Sequence, residues 1–128
     1  MKKYSLIFTL SILSACSSYH NLKEDGNNAL GGGFIEEKID DGLYELTARS
    51  NFAPWAQFGS AEKTYNKRAT ELCSTNYINL ESERSAFDST GMNHIIAQIK
   101  GYILCENSSI QEQQAMELVN KYKAEINR

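Results

Sequence analysis

The chain has 128 residues, with 16 acidic and 13 basic side chains and a formal net charge of -3 at neutral pH. That length supports one domain with a modest core. No basic stripe offsets the acidic excess, so nucleic acid is excluded as an expected partner, because phosphate backbones are held by clustered Lys and Arg.

Lys2 and Lys3 precede an apolar run from Tyr4 to Leu13. The run is well short of the roughly 20 residues a membrane-spanning helix needs and has the length of a secretory signal. Leu13-Ser14-Ala15-Cys16 follows, a bulky aliphatic three residues before a cysteine with small residues between. This resembles the lipobox of bacterial lipoproteins, which implies a signal peptide at 1–15, cleavage before Cys16 and attachment of lipid (palmitate-type acyl chains) to Cys16. Acyl chains contribute about 0.8 kcal/mol per buried methylene, so more than one chain makes a stable membrane anchor. Ser17 stands where, in the Gram-negative lipoproteins that this motif resembles, an Asp favours inner-membrane retention, so the resemblance implies the outer membrane of a Gram-negative envelope, facing the periplasm. Removing Lys2 and Lys3 leaves 11 basic against 16 acidic side chains, a mature charge of about -5.

Residues 16–33 contain Asn27, Asn28 and Gly31-Gly32-Gly33. Such a polar, glycine-rich stretch buries little surface and is expected to be a flexible tether between the lipidated Cys16 and the domain. The glycine triplet lacks a following Lys-Ser/Thr helix start, so it does not read as a phosphate loop.

Residues 34–128 read as a single domain. Phe34 to Ile39 and Leu43 to Ser50 flank the turn Asp40-Asp41-Gly42, and Tyr44, Leu46 and Ala48 alternate with Glu45, Thr47 and Arg49, an antiparallel hairpin. From Ser60, an expected N-cap, Ala61, Tyr65, Ala69, Leu72 and Cys73 recur at helical spacing to about Thr75. Tyr77 to Arg84 is a weaker strand, followed by a loop from Ser85 to Asn93. His94 to Cys105 is the strongest strand, with Ala97, Ile99, Gly101, Ile103 and Cys105 on one side and Ile96, Gln98, Lys100, Tyr102 and Leu104 on the other. Ser109 to Ile126 is helical, with Ala115, Leu118, Val119, Tyr122 and Ile126 on one stripe. The order ββαββα predicts an α+β, two-layer fold: a mostly antiparallel four-stranded sheet covered on one face by two helices.

With Cys16 committed to lipid, Cys73 and Cys105 remain as one pair in an oxidising compartment, and a disulfide is expected between them. Closing a loop of about 32 residues stabilises by roughly 3 to 4 kcal/mol in the chain-entropy model. The alternative is two small buried thiols. No CxxC or His-spaced partner suggests zinc.

Gly32-Gly33-Phe34, Tyr44, Asn51 and Arg68-Ala69 with Glu71 together resemble small bacterial lipoproteins with a GG(Y/F)…GN…RAAE core, over roughly residues 32–80. Ser50 and Thr70 stand where that pattern prefers Gly and Ala. The resemblance implies a lipoprotein and brings no catalytic residues.

No catalytic, metal or cofactor site is expected. His94 lies near Asp88 and Ser89, but such common residues gather easily by chance, and a triad is recognised by geometry. Glu36, Glu37, Asp40 and Asp41 lack the spacing of a calcium loop and read as a solvated strand and turn. The candidate partner-binding residues are Phe52, Trp55 and Phe58, in a connection that holds the chain's only Trp and only Pro. Against that stands the reading that they fold back, in a helical turn beginning at Pro54, to seal the sheet. The expected function is a non-catalytic protein-binding module tethered to the membrane through Cys16: an adaptor, envelope sensor or inhibitor. The alternatives are a module binding peptidoglycan or a small ligand and, last, an envelope hydrolase.

Overall fold

A computed structural model of the chain describes residues 19–26 and 30–128. It contains β1 (Gly33–Asp40), β2 (Leu43–Arg49), α1 (Phe58–Cys73), β3 (Tyr77–Asp88), β4 (Ile95–Cys105) and α2 (Glu112–Ile126), the order ββαββα of an α+β fold. All neighbouring strands are antiparallel, in the order β1-β2-β4-β3. β1 and β2 form the hairpin expected around Asp41-Gly42, and β4 inserts between β2 and β3.

Strand alternation sorts the core into two groups. Leu46 and Ala48 of β2 and Ala97, Ile99 and Ile103 of β4 meet Ala61, Tyr65, Ala69 and Cys73 of α1. Leu43, Tyr102 and Leu104 point the other way and meet Ala115 and Val119 of α2, with Leu118 and Tyr122 packed beside them. The helices therefore lie on opposite faces of the sheet, not together on one. The physical reason is β4, which is apolar on both sides; burying one side against two helices would leave Tyr102 and Leu104 in water. α1 covers its face broadly, whereas α2 covers only the end carrying Leu43 and Leu104.

Gly101, in the middle of β4, shows why α1 sits so close. A Cβ there would lie 2.3 Å from the Tyr65 hydroxyl and 2.6 Å from the Glu81 carbonyl oxygen. Without one, Tyr65 reaches across the sheet and donates to Asn79 Oδ1 at 3.0 Å. Cys73 and Cys105 are disulfide-bonded, with Cα atoms 5.2 Å apart, tying the end of α1 to the end of β4.

Several boundaries differ from those expected. α1 begins at Phe58 with Gln57 as N-cap and no side-chain cap, so Ser60 lies inside the helix. β3 runs on to Asp88, because pairing with β4 supplies backbone partners that the polar sequence Ser82 to Ser85 does not advertise. α2 begins at Glu112, since Ser108 and Ser109 are engaged by Asp41 across the β1–β2 turn. Ile126, placed on the apolar stripe by its spacing, is 55% exposed.

The stretch expected to be a tether is partly folded. Asn21 bridges Phe34 in parallel fashion, the Phe34 N–H donates to the His20 carbonyl at 3.0 Å, and the Leu22 N–H donates to the Phe34 carbonyl at 2.9 Å. Leu22 is buried. Gly33 is required here: at φ +145°, its missing Cβ leaves space that would otherwise bring contact with the His20 carbonyl oxygen at 2.7 Å. Among the described residues no helix is long and apolar enough to cross a membrane.

Candidate functional site

The connection from β2 to α1 is held against the start of β4. Ser50 is fully buried; its N–H donates to the Ala97 carbonyl and its hydroxyl accepts from the Ala97 N–H at 3.0 Å. Ala53 exchanges both backbone bonds with Ile95, at 3.0 and 2.8 Å. These contacts fix the loop on both sides of Phe52, whose ring stacks at 4.5 Å on His94. Trp55 emerges from the fixed loop 64% exposed. Phe58, by contrast, packs against the α1 core with the Arg84 guanidinium 5.8 Å above its ring. The three aromatics thus divide: Phe58 is half-buried against the α1 core, Phe52 is half-buried at the rim beside His94, and Trp55 faces outward. Pro54 lies in a bend, so the helical turn expected to start there is absent.

The β3–β4 turn stands at the same end of the sheet. The Asp88 carboxylate accepts from the N–H groups of Thr90, Gly91, Asn93 and His94 at 2.8–3.2 Å. Burial pushes this carboxyl up, yet the four donors outweigh it and hold Asp88 below the usual carboxylate range. His94 Nδ1 pairs with the Thr90 hydroxyl at 2.8 Å, and Ser89 Oγ donates to the His94 carbonyl. These contacts of Asp88, Ser89 and His94 are those that build the turn.

The acidic residues of the first hairpin take separate partners. Arg68 holds Glu36 through two contacts of 2.5 Å, Lys23 pairs with Glu37, and Asp41 accepts from both the hydroxyl and the N–H of Ser109. Among the described residues no three His, Cys, Asp or Glu side chains gather where they could hold a metal ion.

Arg68 also organises a cluster that residue-by-residue reading missed. Its guanidinium lies 4.6 Å above the Phe34 ring and contacts Glu71 at 3.2 Å. Tyr19 packs on Phe34 with ring centroids 4.9 Å apart, donates its hydroxyl to Glu71 and lies under the Lys67 ammonium at 3.9 Å. Burial, and then the bond to Glu71, push the Tyr19 phenol up to about 12. Gly33, Phe34, Arg68 and Glu71 converge here on the docked segment. No sequence rule assigns Tyr19 as the common partner of Phe34 and Glu71.

A third feature is a cleft of about 200 Å³ between α2 and the uncovered part of its sheet face. Glu45, Glu81, Glu83, Lys100, Tyr102 and Lys123 line it. Tyr102 donates to Glu45 at 2.9 Å, Lys100 approaches Glu45 at 3.8 Å and Lys123 pairs with Glu81.

Leu13 to Cys16, and the lipidation expected at Cys16, lie outside the described residues. Comparison with protein-family models, curated proteins and solved structures finds no match to this chain.

Proposed function

We propose that the chain is a lipid-anchored envelope protein, held through Cys16 at the outer membrane and facing the periplasm, whose domain binds another protein without catalysing a reaction. The observation that carries the binding reading is Trp55, an exposed aromatic on a loop fixed by backbone bonds to β4. A large side chain on a backbone already held in place costs less ordering on docking, and Trp is enriched among the residues that dominate interfaces. The Cys73–Cys105 disulfide supports an oxidising compartment, and the basic, apolar and lipobox order of residues 2–16 supports the anchor.

Two experiments test the two halves. Cells fed a fatty-acid analogue should label the wild-type chain and leave Cys16→Ser unlabelled; equal label would refute lipidation at this residue. A photo-crosslinking amino acid at position 55 should give a discrete adduct with one envelope protein, and none from position 112 on the far helix. Indistinguishable patterns from the two positions would remove Trp55 as the binding residue.

The cleft favours a second reading, capture of a small envelope ligand that carries both amino and carboxyl groups, such as a peptidoglycan stem peptide. It presents carboxylates and ammonium groups around Tyr102. Sedimentation with purified peptidoglycan, lost on Lys100→Glu and retained by Trp55→Ala, would select this reading over the first.

A further inference from the structure

We propose that docking of residues 19–23 turns the anchor into a short leash, which holds the β1 edge of the domain at the phospholipid surface and directs the β3 edge away from it. The inference rests on the Cys16 reading and adds a geometry to it.

The first argument is reach. Three Cα–Cα steps separate Cys16 from Tyr19, and at full extension they span at most about 11 Å. Were residues 17–33 free, a glycine-rich coil of that length would range over roughly 20 Å or more and leave the domain's orientation unconstrained. The docked segment removes that freedom. Tyr19 is held by Phe34, Glu71 and Lys67, the His20 carbonyl and Leu22 N–H bond Phe34, and Lys23 pairs with Glu37. The chain therefore leaves the domain at the β1 edge, beside α1.

The second argument is the difference between the two sheet edges. β1 has residues 20–22 laid along its outer side at Phe34, so the start of that edge is occupied by the segment that leads to Cys16. β3 is the opposite edge, three strand spacings away, and ten of its twelve residues are exposed. Three spacings amount to about 14 Å. A domain held by its β1 edge thus presents β3 farthest from the bilayer, where a soluble partner reaches it unobstructed.

The test uses full-length lipidated protein in phosphatidylethanolamine/phosphatidylglycerol vesicles carrying an acceptor dye on the headgroup. A donor dye is placed, through an unnatural amino acid, at Lys38 of β1 or at Glu81 of β3, both exposed and within one residue of each other along the strands. Energy transfer should be stronger from position 38 by about twofold or more, as a roughly 14 Å difference in height predicts for a short-range dye pair. A Gly/Ser insertion of about 15 residues after Ser18, which leaves the docked residues untouched, should abolish the difference. Tyr19→Ala combined with Leu22→Ala should do the same by releasing the dock. Vesicle flotation with equal transfer from both positions in the unaltered chain overturns the leash alone. Failure of the wild-type protein to float with vesicles overturns the anchor reading, and the leash with it.

Discussion

Tyr19 and Phe34 pack ring against ring at 4.9 Å, although one lies in a polar stretch near the N-terminus and the other opens the first strand. Between them Arg68 and Glu71 of α1 complete a cluster that binds an N-terminal segment, an edge strand and a helix into one unit. The residues next to the proposed anchor are thereby held against the folded domain.

Removing Tyr19 should loosen the segment without unfolding the domain. Tyr19→Ala is expected to cost about 1 kcal/mol, the scale of an aromatic pair with its polar contact, and to accelerate amide exchange at Leu22 and Phe34 selectively. Arg68→Ala should cost more, about 2 kcal/mol after allowing for partial exposure, because Glu36 is left half-buried without its two donors. Arg68→Lys should restore little, since one ammonium cannot reproduce the fork. Denaturant titration together with hydrogen exchange checks both.

Gly101→Ala should be among the most damaging single-methyl additions in the chain. The new Cβ meets the Tyr65 hydroxyl and a backbone carbonyl below 3 Å, so α1 or β3 must shift. A loss of about 2 to 3 kcal/mol is expected, and a stability unchanged within error would refute the packing described.

The two outward and inward aromatics of the β2–α1 connection should separate cleanly. Trp55→Ala is expected to change stability by less than about 0.5 kcal/mol while weakening partner capture by about 2 kcal/mol. Phe58→Ala, which strips a half-buried ring from beside the α1 core, should cost about 2 kcal/mol. Thermal melts and a binding titration on the two variants decide the matter.

Reducing the Cys73–Cys105 bond, or replacing both residues with Ala, should lower stability by about 3 kcal/mol. The exported protein should show no free thiol before reduction and two after, Cys16 being blocked by lipid.

Asp41 links stability to acid. The Ser109 hydroxyl, and then the Ser109 N–H, hold its carboxyl below the usual carboxylate range. The folded pKa lies under the unfolded one, so this contribution is complete above about pH 5 and is lost as pH falls below about 4. Asp41→Asn should flatten that part of the acid limb, and carboxyl chemical shifts followed by NMR should place the Asp41 midpoint below that of exposed aspartates.

Much of this architecture was legible in the residues alone. The alternation of Tyr44, Leu46 and Ala48, the helical spacing of Ala61, Tyr65 and Ala69, the stripe from Ala115 to Tyr122 and the pairing of Cys73 with Cys105 all follow from local periodicity and arithmetic, because burial of one face leaves its period in the sequence. Three things did not. Alternation says which residues share a face but not which helix meets it, so the placement of α2 opposite α1 emerged only when both apolar sides of β4 had to be covered. β3 beyond Arg84 carries little period-2 signal, since both its sides are largely exposed, and only its backbone bonds to β4 extend it to Asp88. Tyr19 and Leu22 lie in a stretch too polar to predict as structure, yet they are ordered by partners 12 to 52 residues away, at Phe34 and Glu71. Local sequence determined the elements and the faces they bury, whereas the tertiary structure decided which long-range partners those faces and the N-terminal segment would find.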